Sequence, residues 1–101
     1  MKTLAIIGGG ISGCSAAIES ARYFKRKNVK CNIVIFESLP YVCKKLLVTG
    51  NGRCNILNED CSHKNYHGSP EFIKSVFSLF GIQSNKEFLK SVGILTKTED
   101  A

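Results

Sequence analysis

Thr3-Leu4-Ala5-Ile6-Ile7-Gly8-Gly9-Gly10-Ile11-Ser12-Gly13, answered further on by Asn32-Ile33-Val34-Ile35-Phe36-Glu37, is the sequence from which the rest of the chain is read. Residues 3–7 form a short, continuous apolar run that stops at glycine, the pattern of a parallel strand covered on both faces. From Ile11 the period becomes helical. Ile11, Ser15, Ile18 and Arg22, with the small residues Cys14, Ala16, Ala17 and Ala21, allow a helix to lie close on a sheet up to about Lys27, and Asn28 ends it. Residues 32–36 are again apolar and β-branched and finish on Glu37. Strand, helix and strand within residues 3–37 predict a βαβ unit with a right-handed crossover, and hence an α/β fold.

The turn between the first strand and the helix reads Gly8-x-Gly10-x-x-Gly13. Gly8 can take the angles of a tight turn, Gly10 lets the main chain approach a pyrophosphate, and Gly13 lets the helix pack on the strand. Ala17, one turn later, keeps that contact small. Free N–H groups at the helix start hold negative phosphates, and an acid at the position of Glu37 accepts hydrogen bonds from adenosine ribose hydroxyls. Three glycines at this spacing also occur in incidental turns. Here the preceding strand, the following helix and the terminal acid all support a Rossmann-type dinucleotide site. Ser38 follows Glu37 with no arginine beside it, which disfavours NADP. FAD and NAD present the same ADP half, so these residues leave the two open.

With 101 residues, 44% of them apolar, the chain has the size of one small globular domain. Its longest apolar runs, residues 4–7 and 33–36, are far short of the ~20 residues of a membrane-spanning helix. The N-terminal run passes straight into glycines without the small-residue cleavage pattern of a signal peptide. The net charge of +6 does not form a nucleic-acid stripe. Lys25, Arg26, Lys27 and Lys30 gather where a helix ends and complement its dipole there. Five cysteines at irregular spacing, with no C-x-x-C, suit reduced thiols in the cytoplasm rather than a disulfide framework. Cys54, Cys61, His63 and His67 match no zinc-finger spacing, so no metal site is expected.

Residues 38–69, punctuated by Pro40, Gly50, Gly52 and Gly68, read as a long loop with at most a turn or two of helix between Val42 and Val48. Residues 70–93 read as helical. Ser69 caps and Pro70 opens a first helix with Phe72, Ile73, Val76, Phe77 and Phe80 on one face and Gly81 at its end. Ser84-Asn85-Lys86-Glu87 has the form of a capping box for a second helix, which carries Phe88, Leu89 and Val92 and is closed by Gly93. Ile94 to Lys97 read as extended. Two strands and three helices leave apolar helix surface without enough sheet to cover it. The expectation is the N-terminal portion of a larger doubly wound domain.

Lys45-Leu46-Leu47-Val48-Thr49-Gly50-Asn51-Gly52-Arg53-Cys54-Asn55-Ile56-Leu57-Asn58 is the second glycine motif. Two glycines around an asparagine can turn successive N–H groups into an anion-binding concavity, and Arg53 adds a planar donor fork. Asn55 and Asn58 both donate and accept, as recognition of a flavin edge would require. A plain Gly-Asn-Gly surface turn with a solvated arginine explains the same residues equally well. Cys54 has no partner at C-x-x-C spacing and reads as a loop-packing cysteine.

On the glycine-rich turn ending in Glu37, and on T-G-N-G-R-C-N-x-x-N at residues 49–58, the chain resembles the start of the BaiN-like (aminoacetone-oxidase-like) family of bacterial NAD(P)/FAD-dependent flavoproteins. The resemblance covers essentially the whole chain but only the first part of the family's length. It implies FAD as cofactor, with Gly8, Gly9, Gly10, Ser12, Gly13 and Glu37 on the ADP half. Lys45, Thr49, Gly50, Asn51, Gly52, Arg53, Cys54 and Asn55 would line the pyrophosphate and flavin side. It also implies NAD(P)H as a possible electron donor to the complete protein. The chain departs from the family at Cys43-Lys44, where Gly-Arg is common, and at Ser38, where a basic residue often stands. No residue present reads as a general acid, a general base or a substrate clamp, so the 101 residues alone are expected to be inactive. The competing readings are a NAD-binding dehydrogenase domain and a truncated, non-catalytic product that docks on a separately encoded remainder.

Overall fold

The computed structural model describes residues 1–48 and 63–97. The chain divides into two compact units, Met1–Ile56 and Leu57–Ala101.

In the first unit, β1 (Lys2–Ile7), α1 (Ile11–Arg26) and β2 (Cys31–Phe36) form a βαβ arrangement. The strands pair in parallel, from Lys2 opposite Cys31 to Ile7 opposite Phe36. Both begin one residue before the apolar runs that predict them. A further bond, Gly8 N–H to Phe36 O at 2.8 Å, carries the pairing into the turn. α1 packs on both strands. Leu4, Ile6, Ile33 and Ile35 are half-buried, whereas their alternates Ile7, Val34 and Phe36 are 82%, 38% and 57% exposed. Among the described residues, α1 covers one face of this two-stranded sheet. One helix supplies one covered face, and the alternation of side chains along a strand sends every second apolar residue to the other.

Small residues decide how α1 sits. Gly13, Cys14, Ala17 and Ile18 are half-buried, while Ile11, Ala16 and Ala21, read as packing residues, are exposed. The helix ends in a Schellman arrangement. Asn28 takes the left-handed conformation (φ +54°), Val29 N–H bonds Phe24 O at 2.9 Å, and Asn28 N–H bonds Lys25 O at 3.2 Å. Asparagine tolerates that conformation better than most residues, which is how it stops the helix. A short α2 (Lys44–Val48) follows, within the stretch that the sequence allows for helix.

The second unit contains a 3₁₀ turn (His63–Asn65), α3 (Pro70–Leu79) and α4 (Ile82–Ser91). Ser69 caps α3 by accepting from Phe72 N–H at 3.5 Å, with Pro70 at the first position. The rings of Tyr66 and Phe77 meet edge to face with centroids 5.2 Å apart.

Two expectations are corrected here. Gly81 is not a left-handed stop for α3. It has φ −92° and is the N-cap of α4, which begins two residues before the Ser84 box. The side chain of Asn85 explains the shift. Its Nδ2 and its backbone N–H both donate to Gly81 O, at 2.8 and 3.0 Å, so this residue fastens the first turn from inside the helix. Gly93 does close α4, at φ +87°, with Ile94 N–H to Leu89 O at 2.9 Å and Gly93 N–H to Lys90 O at 3.0 Å. Residues 94–97 form no strand. Among the described residues Leu89 is the buried apolar side chain, at 6% exposure.

Candidate dinucleotide site

The site is built where β1 turns into α1. Gly8 takes φ +98°, a conformation that side chains with a β-carbon rarely adopt. Gly13 follows one helical turn on, and a β-carbon there would run into the carbonyl oxygen of Gly8 and lie 3.1 Å from its carbonyl carbon. The helix can approach the turn this closely only because position 13 has no side chain. A β-carbon on Gly10 would meet nothing within 4 Å, so the N-cap of α1 opens onto free space. No side chain caps that helix and its first turn holds no acid. Its leading N–H groups, among them that of Ser12, lack intrahelical acceptors and face outward with the positive end of the dipole.

Gly9 is the buried residue of the turn. A β-carbon on it would lie 2.8 Å from Val42 Cγ1 and 3.3 Å from both Cβ and Cγ of Glu37. The requirement for glycine at this x position is not visible in the G-x-G-x-x-G spacing. It comes from contacts with residues some thirty positions away.

Those contacts also fix Glu37. Its Oε1 accepts from Gly9 N–H at 2.8 Å, and its Oε2 accepts from Leu39 N–H at 2.8 Å and from Ser38 Oγ at 3.5 Å. The Leu39 and Gly9 amides favour the charged form and hold the carboxyl below its usual range. A carboxylate offers about four acceptor positions, two on each oxygen, so Oε1, with one donor, keeps capacity for a hydroxyl. Glu37, Ser38, Ile7, Gly8 and Phe36 line a cleft at the C-terminal ends of the two strands, the place where open α/β sheets bind their ligands.

A second tie reaches the turn from α2. Cys43, in the left-handed region at φ +58°, donates its N–H to Gly9 O at 2.7 Å. This bond brings the start of α2 beside the glycine turn, with Lys45 exposed two residues on. Cys14 Sγ also points at Gly9 O, at 3.6 Å, and receives Cys43 Sγ at 3.5 Å. Irregular cysteine spacing gave no sign of this contact. Thr49, Gly50, Asn51, Gly52, Arg53, Cys54 and Asn55 lie outside the described residues. No helix among the described residues is long and apolar enough to cross a membrane.

Comparison with known proteins agrees with this geometry. The HI0933-like protein Rossmann domain matches residues 2–101. Over 99 residues, 97% of the chain, the sequence is 42% identical to the 3-dehydro-bile acid delta(4,6)-reductase of Clostridium scindens. The chain spans 23% of the length of that relative. No solved structure matches it. With a parallel βαβ unit, a glycine turn open at its N-cap and a family match along nearly its whole length, the chain belongs to the HI0933-like Rossmann-domain family.

Proposed function

We propose that the chain is the FAD-binding N-terminal segment of a flavin-dependent oxidoreductase. The observation that carries the proposal is the pairing of an open N-cap at Gly10 with an ionised Glu37 fastened at the mouth of the same turn. In this reading the pyrophosphate sits against Gly10 and the leading amides of α1, including that of Ser12. Gly8, Gly9 and Gly13 shape the turn, and Glu37 takes the ribose hydroxyls of the ADP half. Ile7 and Phe36 offer apolar walls beside Glu37 and Ser38, suited to an adenosine.

Bound FAD would supply hydride transfer, and the protein's part is to bind and orient it. Lys45 and the segment Thr49, Gly50, Asn51, Gly52, Arg53, Cys54 and Asn55 would take the pyrophosphate and flavin side, as the family resemblance implies. The reductase named for the Clostridium scindens relative supports a redox role; NAD(P)H as electron donor to the complete enzyme is what the family resemblance implies.

Titration of the 101-residue chain with FAD and separately with NAD, followed by flavin fluorescence and by calorimetry, tests the proposal. FAD is expected to bind the more tightly of the two, and Glu37→Ala to weaken it. Tighter binding of NAD, or FAD affinity indifferent to Glu37, would reject it.

A further inference from the structure

The two thiols gathered on Gly9 are not used by the dinucleotide reading, and they are too well placed to be treated as packing alone. Cys14 lies in the first turns of α1 and Cys43 directly before α2, 29 positions apart in sequence. Both are half-buried and both are reduced. Cys14 Sγ donates to Gly9 O at 3.6 Å, Cys43 N–H donates to the same oxygen at 2.7 Å, and the two sulfurs stand 3.5 Å apart. Backbone bonds anchor both residues: Cys14 N–H bonds Gly10 O at 3.0 Å, and Cys43 is held at its unusual φ of +58° by its bond to Gly9. Strained conformations of this kind persist where the surroundings over-determine them, and they gather at functional positions.

We propose that Cys14 and Cys43 are a redox-modification site, a dithiol that a low-molecular-weight disulfide oxidises to a reversible intramolecular disulfide stapling the start of α2 to the glycine turn. A disulfide needs its sulfurs at about 2.05 Å, so closure requires an approach of roughly 1.5 Å from the present contact.

The chemistry balances in two exchanges. Cys43, as thiolate, attacks one sulfur of the small disulfide. A bond forms between Cys43 Sγ and that sulfur, the small S–S bond breaks, and one small thiolate leaves. Cys14 then gives up its proton and attacks Cys43 Sγ. The Cys14–Cys43 bond forms, the mixed disulfide breaks, and the second small thiolate leaves. Two protein thiols have lost two electrons, the small disulfide has gained them, and the two protons pass through solvent to the small thiolates.

The order of attack follows from the surroundings. Burial, with the neighbouring Cys43 and Glu37, raises the Cys14 thiol and keeps it protonated at first. Once Cys43 is capped as a mixed disulfide it can no longer carry charge, and part of that opposition is lifted. In a reducing compartment such a bond would be transient, as intracellular disulfides of redox-responsive proteins are. The proposal does not depend on which dinucleotide the turn binds.

The test uses the unmodified 101-residue chain, reduced and then equilibrated with glutathione and glutathione disulfide over a range of ratios, in buffer and in concentrated urea. Remaining thiols are alkylated, and the linked peptides are identified by tandem mass spectrometry. In buffer a Cys14–Cys43 linkage is expected to dominate, at an equilibrium constant at least about tenfold above that in urea, because the fold raises the effective concentration of one thiol at the other. Cys14→Ser should leave Cys43 as a glutathione adduct, Cys14→Ser and Cys43→Ser should each abolish the linkage, and excess dithiothreitol should restore the thiols. If both cysteines stay open to alkylation in buffer, or linkages scatter over the five cysteines as in urea, the proposal is wrong.

Discussion

Replacing Gly13 by alanine sets two physical effects of opposite sign against each other. In a helix alanine is favoured over glycine by about 1 kcal/mol, so on propensity alone Gly13→Ala stabilises α1. The added β-carbon, however, would collide with Gly8 O and lie 3.1 Å from Gly8 C and 3.4 Å from Ile6 Cγ2. Gly8 cannot yield easily. Its N–H is tied to Phe36 O at 2.8 Å, its φ is +98°, and it is part of the turn itself. Overpacking against side chains costs about 1–3 kcal/mol, and the rigid backbone here places the cost toward the upper end. The net expectation is a loss of about 2 kcal/mol, roughly 30-fold in the folding equilibrium. With a urea slope of about 1–2 kcal/mol/M, the midpoint seen by far-UV circular dichroism should fall by about 1–2 M. A variant with no urea midpoint at all would be consistent with this. An equal or higher midpoint would refute the reasoning and show that helix propensity, not the contact with Gly8, governs position 13.

Gly10→Val makes the complementary case: its β-carbon meets free space, so stability should change by less than about 1 kcal/mol while dinucleotide binding by titration is lost. Retained binding would show that the pyrophosphate does not approach Gly10. Because Glu37 titrates below its ordinary value of 4.5, the unfolded chain takes up its proton first as pH falls. The contribution of Glu37 to stability is therefore complete above that value and declines as pH drops through the lower folded-state value. Between pH 6 and 3 the stability of the native chain should fall more steeply than that of Glu37→Gln, and parallel curves would mean that the amides of Gly9 and Leu39 do not favour the charged form. The uncovered residues Ile7, Phe36, Phe72 and Leu79, at 82%, 57%, 69% and 84% exposure, should bind the dye ANS. Fluorescence no greater than that of the dye in buffer would show that these residues are covered in solution.

What the sequence determined by itself is what a few neighbouring residues decide. The Gly8 turn, the stop at Asn28, the Ser69–Pro70 start and the Gly93 close follow from backbone freedom and capping, interactions that span five or six positions. The parallel strands and the helix between them follow from apolar periodicity, which is equally local. The start of α4 is not legible in the spacing because two motifs compete there, and the Asn85 bond to Gly81 prevails over the Ser84 box. Spacing alone does not reveal contacts that close a loop. The seat of Gly9 under Val42 and Glu37, the bond from the Gly9 amide to the Glu37 carboxylate, and the meeting of Cys14 with Cys43 join residues about thirty positions apart. These contacts come from the folded chain, because bringing the end of β2 and the start of α2 back to the first turn depends on sheet register and helix packing, and neither is encoded in any short stretch of chain.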